Sequence, residues 1–550
     1  MRRFAIALGA VTTLLACSVY PGGGPATQPP PPAPGPDQDA LARYSDSTAA
    51  AMAPQRRAEL EAERRRNAGP EADREAYAYI EENGWLGVET NPLSTFAIDV
   101  DRASYANVRR FIDEGRRPPV DAVRIEELIN YFPYSDAEPI GDHPLSMAVE
   151  VAPAPWESRH LLARIGVKGR SIDLGDVPPS NLVFLIDVSG SMAWANKLTL
   201  LKTSLGLLVE HLRPQDRVAI VVYAGAAGLA LPSTPGDQRE TIEAALADLE
   251  AGGSTAGGEG IQLAYAVAAE NHIPGGNNRV ILATDGDFNV GPSSDGEMIR
   301  LIEEKREQGT FLTVLGFGTG NLQDAKMEQI ANHGNGNYAY IDSELEARKT
   351  LVHEMGGTLV TIAQDVKIQV EFNPARVAAY RLIGYENRLL AAEDFADDTK
   401  DAGELGAGHT VTALYEILPV GVEGSADVGE VAPLRYRDTA PRTPDNEELL
   451  FAQLRYQNPG GSPSQLLTRP VSDVEPLDAT SDDFRFSAAV AAWGMLLRGS
   501  SHIGDFDQNG VARLARAAKG TDENGYRSDF LELVDRARSL DVLEMAPGAW

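Results

Sequence analysis

The sequence predicts a multidomain α/β plus β chain. A doubly wound, mostly parallel sheet is inserted into a β-sandwich-like region, and a helical C-terminal part follows. Three observations carry this. From residue 181 to 355, apolar runs of strand length alternate with helical periodicity. Strand-like sequence without intervening helices flanks that stretch, at 146–167 and again from 366 to 456. Beyond residue 480 the pattern is helical alone. At 550 residues the chain exceeds what one hydrophobic core serves.

In chain order, Arg2 and Arg3 precede an apolar run, 4–16, that closes as Leu14-Leu15-Ala16-Cys17. The run is shorter than the roughly 20 residues of a membrane-spanning helix. Residues 1–16 therefore read as an export signal. Leu-Leu-Ala-Cys resembles the lipobox of bacterial lipoproteins. That resemblance implies cleavage before Cys17, lipidation of Cys17 and a membrane anchor. Ser18, rather than Asp, after the cysteine resembles lipoproteins sorted to the outer membrane. Cys17 is the single cysteine, so no intramolecular disulfide forms. Residues 17–78 comprise the Pro/Gly-dense stretch 20–37, read as a tether, and a polar segment rich in Ala, Arg and Glu, read as helical or disordered.

Residues 79–143 read as an N-terminal α/β region, with a strand at 94–100 and helices at 103–114 and 120–131. Tyr105, Val108, Phe111 and Ile112 fall on one side of the first helix. Asp99-Val100-Asp101 weakly echoes a metal loop, but Asp101 is expected to cap the helix start. Residues 144–180 supply strands before the α/β unit: 146–167 alternates apolar and polar side chains, as half-buried strands do. If the α/β unit is inserted into a β domain, 147–167 and 366–372 should share a sheet.

Residues 181–356 form the α/β unit. Strands are expected at 181–186, 217–223, 279–283, 311–317 and 338–341, and helices at 196–212, 237–249, 258–270, 295–308, 322–332 and 344–355. Leu198, Leu201, Leu205, Leu208 and Leu212 recur at three- and four-residue steps, so the first helix carries one apolar stripe. Residues 357–480 are β-rich, with strands at 366–372, 377–385, 409–418 and 447–456. Residues 481–550 are helical, with helices at 482–498, 507–518 and 526–538. Asp505-x-Asp507-x-Asn509-Gly510 begins like a calcium loop, but its twelfth position is Arg516 rather than the bidentate Glu that Ca2+ requires. It reads as a turn before a capped helix.

The net charge of −31 argues against nucleic acid, because the run Arg64–Arg66 is the one basic cluster against it. The eight histidines show no zinc spacing, and neither a phosphate-loop Gly-Lys-Ser/Thr nor a Gly-x-Ser-x-Gly turn occurs.

The chemistry concentrates where strands end. The apolar run 182–186 stops at Asp187-Val188-Ser189-Gly190-Ser191, and the run 280–283 stops at Thr284-Asp285-Gly286-Asp287. Gly252-Gly253-Ser254-Thr255 precedes the helix leading to the second of these. In open α/β sheets ligands collect beyond the carboxyl ends of strands. Asp187, Ser189, Ser191, Thr255 and Asp285 thus offer two carboxylates and three hydroxyls, the oxygen set that hard divalent cations prefer. Glu259 and Asp287 stand beside them and either tune the site's charge or are simply solvated, and Ser254 is the alternative hydroxyl to Thr255. The alternative is a strand-end turn that holds no ion.

Asp-x-Ser-x-Ser at a strand end, a Thr after a Gly-rich loop and a strand-end Thr-Asp-Gly resemble the von Willebrand factor A domain and its metal-ion-dependent adhesion site (MIDAS). The resemblance implies that Ser189 and Ser191 bind the metal directly. Asp187 and Asp285 would bind it directly or through water, and Thr255 would join when ligand is bound. The implied ion is Mg2+, with Mn2+ or Ca2+ as alternatives. Including Ser94-Thr95-Phe96-Ala97-Ile98-Asp99 and Ile383-Gly384-Tyr385-Glu386-Asn387-Arg388, residues 91–538 resemble bacterial A-domain lipoproteins with their own N- and C-terminal regions.

The expected function is non-catalytic: a lipid-anchored protein of the cell envelope, at the outer membrane, binding a protein partner whose Asp or Glu carboxylate completes the metal's coordination. Neutral hydroxyl ligands leave part of the cation's charge for that carboxylate. Two alternatives stand beside it. One is an envelope scaffold whose metal only stabilises the fold. The other is a metal-assisted hydrolase using Asp187 and Asp285, with Glu259 or Asp287 as base.

Overall fold

The computed structural model describes residues 75–173, 175–253, 257–286, 295–354, 360–398, 400, 402–422, 447–459 and 463–544. The export-signal, tether and lipidation readings, Cys17 included, lie outside the described residues. Among those residues, no helix is long and apolar enough to cross a membrane.

The N-terminal region supplies β1 (Leu86–Gly87), β2 (Leu93–Ala97), α1 (Ala103–Asp113), α2 (Ile125–Asn130) and the hairpin of β3 (Leu145–Pro153) and β4 (Leu161–Gly169). Two expectations are corrected here. The single helix expected at 120–131 is a 3-10 turn, Val120–Ala122, followed by α2. Ser104 holds the junction: its Oγ donates to Ala122 O at 2.7 Å and accepts from Arg124 N at 2.9 Å. Asp101 does not cap α1. Its Oδ1 accepts from the backbone N of Tyr338 at 2.8 Å, while Glu127 Oε2 accepts from Ser104 N at 2.8 Å. A distant carboxylate on α2 thus does the capping that the sequence assigned to a local one.

The α/β unit runs β5 (Ser180–Asp187), α3 (Leu200–Val209), β6 (Arg217–Tyr223), β7 (Ala227–Pro235), α4 (Arg239–Ala247), α5 (Gly257–Glu270), β8 (Asn277–Thr284), α6 (Asp295–Glu307), β9 (Thr310–Phe317), α7 (Asp324–His333), β10 (Tyr338–Ile341) and α8 (Glu344–Arg348). Its sheet has the order β10-β9-β8-β5-β6-β7. Neighbours pair in parallel except at the edge, where β7 runs antiparallel to β6. The sequence reading assigned no strand at β7, whose Ala-Gly-Leu-Ala-Leu-Pro-Ser-Thr-Pro run is only partly covered at the sheet edge.

Alternation through β5 sorts its side chains between two cores. Leu182, Phe184 and Ile186 join Leu201, Leu205 and Leu208 of α3 on one face. Val183 and Leu185 join Ile261, Ala264 and Tyr265 of α5 on the other. All five leucines of the predicted stripe are buried.

The remaining strands are β11 (Thr361–Phe372), β12 (Val377–Ile383), β13 (Leu389–Leu390), β14 (Gly403–Gly406), β15 (Thr410–Pro419), β16 (Leu450–Gln457) and β17 (Gln465–Val471). They form two sheets, β1-β12-β15-β4-β3 and β13-β2-β11-β16-β17, with β14 added to β11. The hairpin β3–β4 and β11 therefore lie in separate sheets, and the expected test of insertion fails as stated. Insertion is shown instead by other strand pairs, because both sheets combine strands from before and after the α/β unit. Across that unit β4 pairs with β15 and β2 with β11. The sheets face each other over one core that holds Val151, Ile165 and Val167 together with Ile368, Val370 and Phe372.

Helices α9 (Asp482–Arg498), α10 (Gln508–Ala517) and α11 (Tyr526–Glu544) share a further core with α1 and α2, in which Trp493 and Phe530 meet edge to face with Tyr105, Ile125 and Leu128 nearby. Asp507 caps α10, accepting from Gly510 N at 2.8 Å, so the calcium-like loop is a capped turn.

Candidate metal centre

The sheet reverses its direction of growth at β5: the chain moves from β5 to β6 on one side, then returns to β8 on the other. This is the switch point where open α/β sheets leave a crevice. Register sets the rest. Ile186 pairs with Ala283 and Asp187 with Tyr223, so Asp187 stands beside the end of β8.

Asp187 and Asp285 are both fully buried, as is Thr284. Asp187 Oδ1 accepts from Ser189 N at 2.8 Å, and its Oδ2 accepts from Thr284 Oγ1 and Tyr223 OH, each at 3.2 Å. Ser189 Oγ and Ser191 Oγ lie 3.0 Å apart. Burial, with Asp285 adding repulsion, pushes the Asp187 carboxyl up to about 6 despite the hydrogen bonds from Ser189 and Tyr223. Ser191 is half-buried and Gly190 exposed, so the cluster opens to solvent on the side of this loop.

The third loop is tied in through its backbone. Gly190 N donates to Gly253 O at 3.0 Å, and Gly252 N donates to Val188 O at 2.8 Å. Gly253 takes φ +86°, which favours glycine. Thr255, Ser254 and Asp287 lie outside the described residues. Glu259 is exposed in the first turn of α5.

The structure adds a residue that the sequence reading missed. Lys197, itself buried, donates from Nζ to Asp285 Oδ2 at 2.9 Å and to Asn321 Oδ1 at 3.1 Å. A lysine directly before the leucine stripe, at the edge of a buried helix face, was the available signal.

The donor set fits a hard divalent cation. Two buried carboxylates are close enough to repel, one of them is paired with a lysine, and two hydroxyls stand at the open side. A second acidic cluster, Asp99, Asp101 and Glu328, has carboxylate oxygens within 4.8 Å of one another. Arg388 lies 3.1, 3.5 and 3.6 Å from them in that order, and Arg124 is 3.6 Å from Glu328. These guanidinium groups supply the countercharge, so the cluster is an ionic joint in which the two sequence motifs, ending in Asp99 and Arg388, meet.

A family model described as von Willebrand factor type A domain matches residues 181–354, and one described as von Willebrand factor matches 71–164. A third, described as "Uncharacterized protein YfbK, C-terminal", matches 357–540. YfbK of Escherichia coli (strain K12) is 44% identical over 472 residues, covering 84% of this chain and 80% of that protein. The chain belongs to the YfbK family. Protein sll0103 of Synechocystis sp. is 30% identical over 202 residues, covering 36% of this chain and 46% of that protein. The solved von Willebrand factor type A protein from Catenulispora acidiphila is 14% identical with a TM-score of 0.41, over 73% of this chain and 90% of that one. The YfbK-family chain thus carries a von Willebrand factor type A domain, a module of protein–protein interaction that commonly holds a divalent metal at the MIDAS.

Proposed function

We propose that this YfbK-family protein is a lipid-anchored envelope protein that binds an acidic group of a protein partner through a divalent cation, without catalysis. Asp187, Ser189, Ser191 and Asp285, with Thr255, would hold Mg2+ or a similar ion. The observation that carries the reading is the convergence of two buried carboxylates and two hydroxyls at the sheet's switch point, with the hydroxyl side open. When bound, the cation would supply a positive point to which a carboxylate adds. The indole of Trp194, 52% exposed and three residues beyond Ser191, offers an aromatic anchor on the same loop.

The test is a binding titration of Mg2+ or Mn2+ followed by partner capture with and without chelator. The reading expects metal binding in the native chain, its loss in Asp187→Ala, and a captured protein released by chelator. Retention of that protein by the Asp187→Ala variant overturns the metal bridge. The anchor is tested separately: Cys17→Ser should move the protein out of the membrane fraction.

The complete burial of both carboxylates favours a second reading, in which the ion chiefly stabilises the fold. Chelation would then lower the melting temperature and release no partner.

A further inference from the structure

Lys197 touches one of the two carboxylates of the candidate centre directly. Its side chain is 5% exposed and that of Asp285 is fully buried, with 2.9 Å between Nζ and Oδ2. The chain kinks at Lys197 (φ −118°, ψ −105°) just before α3, at the point where the side chain turns toward Asp285. Gly318 makes room for it. A Cβ added there would lie 2.3 Å from Lys197 Cγ and 2.4 Å from Cε, so the stem occupies the space a side chain would need. Asn321 Oδ1 takes a second ammonium proton at 3.1 Å.

The consequence is one of charge. Asp187 and Asp285 alone would present two negative charges and fully neutralise a divalent ion. With Lys197 set against these two carboxylates, the three groups together contribute one negative charge, one less than the pair alone, and leave the bound cation more positive. That charge is what an external carboxylate answers.

We propose that Lys197 is the charge-setting residue of this centre. It keeps Asp285 paired while the metal is absent, lowers the affinity for the cation by itself, and so reserves tight metal binding for the moment an anionic ligand arrives. This rests on the metal reading above and deepens it. A buried carboxylate stripped of its cation is costly, so the metal-free fold depends on the same contact.

The experiment is a titration of the full chain with Mn2+ alone, followed by electron paramagnetic resonance, in the native protein and in Lys197→Gln, Lys197→Met and Lys197→Arg. Gln keeps an N–H donor for Asp285 but removes the charge. The inference expects Lys197→Gln to bind Mn2+ on the order of tenfold more tightly, and Lys197→Arg to stay near the native affinity. A purely structural lysine would give the opposite, weaker binding on removal. Should the Lys197 variants not fold, Asn321→Asp sets a carboxylate against the ammonium and is expected to tighten Mn2+ binding as well. Equal or weaker binding in the folded variants overturns the inference while leaving the metal reading intact. A native chain that binds no Mn2+ overturns the metal reading and this inference with it.

Discussion

Tyr223 and Asp187 are register partners on adjacent parallel strands, and the phenol donates to Asp187 Oδ2 at 3.2 Å. Tyr223 is fully buried, and burial raises its pKa far above the usual phenol range, so it is a fixed donor. On the proposed metal reading Asp187 is a ligand, and groups that orient a ligand in this way typically contribute about 10- to 100-fold to metal affinity. Tyr223→Phe keeps the ring and its packing and drops only the donor. Its expected result is Mn2+ affinity weakened by about tenfold, read by calorimetric titration, with a near-native circular dichroism spectrum.

Gly286 follows Asp285 at φ +104°, and a Cβ there would stand 2.7 Å from Asn321 O and from Leu322 Cα. Both obstacles are backbone, so they do not yield by a rotamer change. Gly286→Ala is expected to destabilise the fold by about 1–3 kcal/mol and to displace Asp285, weakening metal binding as well. Urea denaturation and the Mn2+ titration check the two effects independently.

Leu205 is fully buried in the core shared by β5 and α3. Leu205→Ala should cost about 2–5 kcal/mol, the range for leucine deleted from a close-packed interior. The midpoint of urea denaturation reads it, and an unchanged midpoint would contradict the packing described.

Glu354 accepts from both Arg102 and Lys349, tying the segment after α8 to the start of α1. Burial alone would raise its carboxyl, but Arg102 and Lys349 outweigh it and hold it at about 2, against an ordinary 4.5. The folded value is depressed, so the stabilisation is present above pH 4.5 and is lost as pH falls toward 2. A shift of that size corresponds to about 3 kcal/mol. Glu354→Gln is therefore expected to lower stability by about that amount at pH 7, with the difference shrinking below pH 4.5, in denaturation series across pH.

Much of this protein is local and was legible. The apolar runs ending in Asp187 and Thr284-Asp285 marked the strand ends, because a strand buried on both faces needs continuous hydrophobicity. The leucine spacing marked the face of α3 that packs, since the helical repeat alone fixes it. The oxygen-rich loops followed from residue type, and the capped turn at Asp507 from the missing glutamate at Arg516.

What tertiary structure decided were the long-range partners. Which strand pairs with which across the inserted unit depends on register and shared core, and neither is written locally: β4 found β15, and β2 found β11. Asp101 was drawn to Tyr338 instead of its own helix, because a buried backbone N–H from another element offered a partner. The place of Lys197 directly before the leucine stripe hinted at burial but named no partner. Only the fold shows it buried against Asp285, where a charge removed from water must find its opposite.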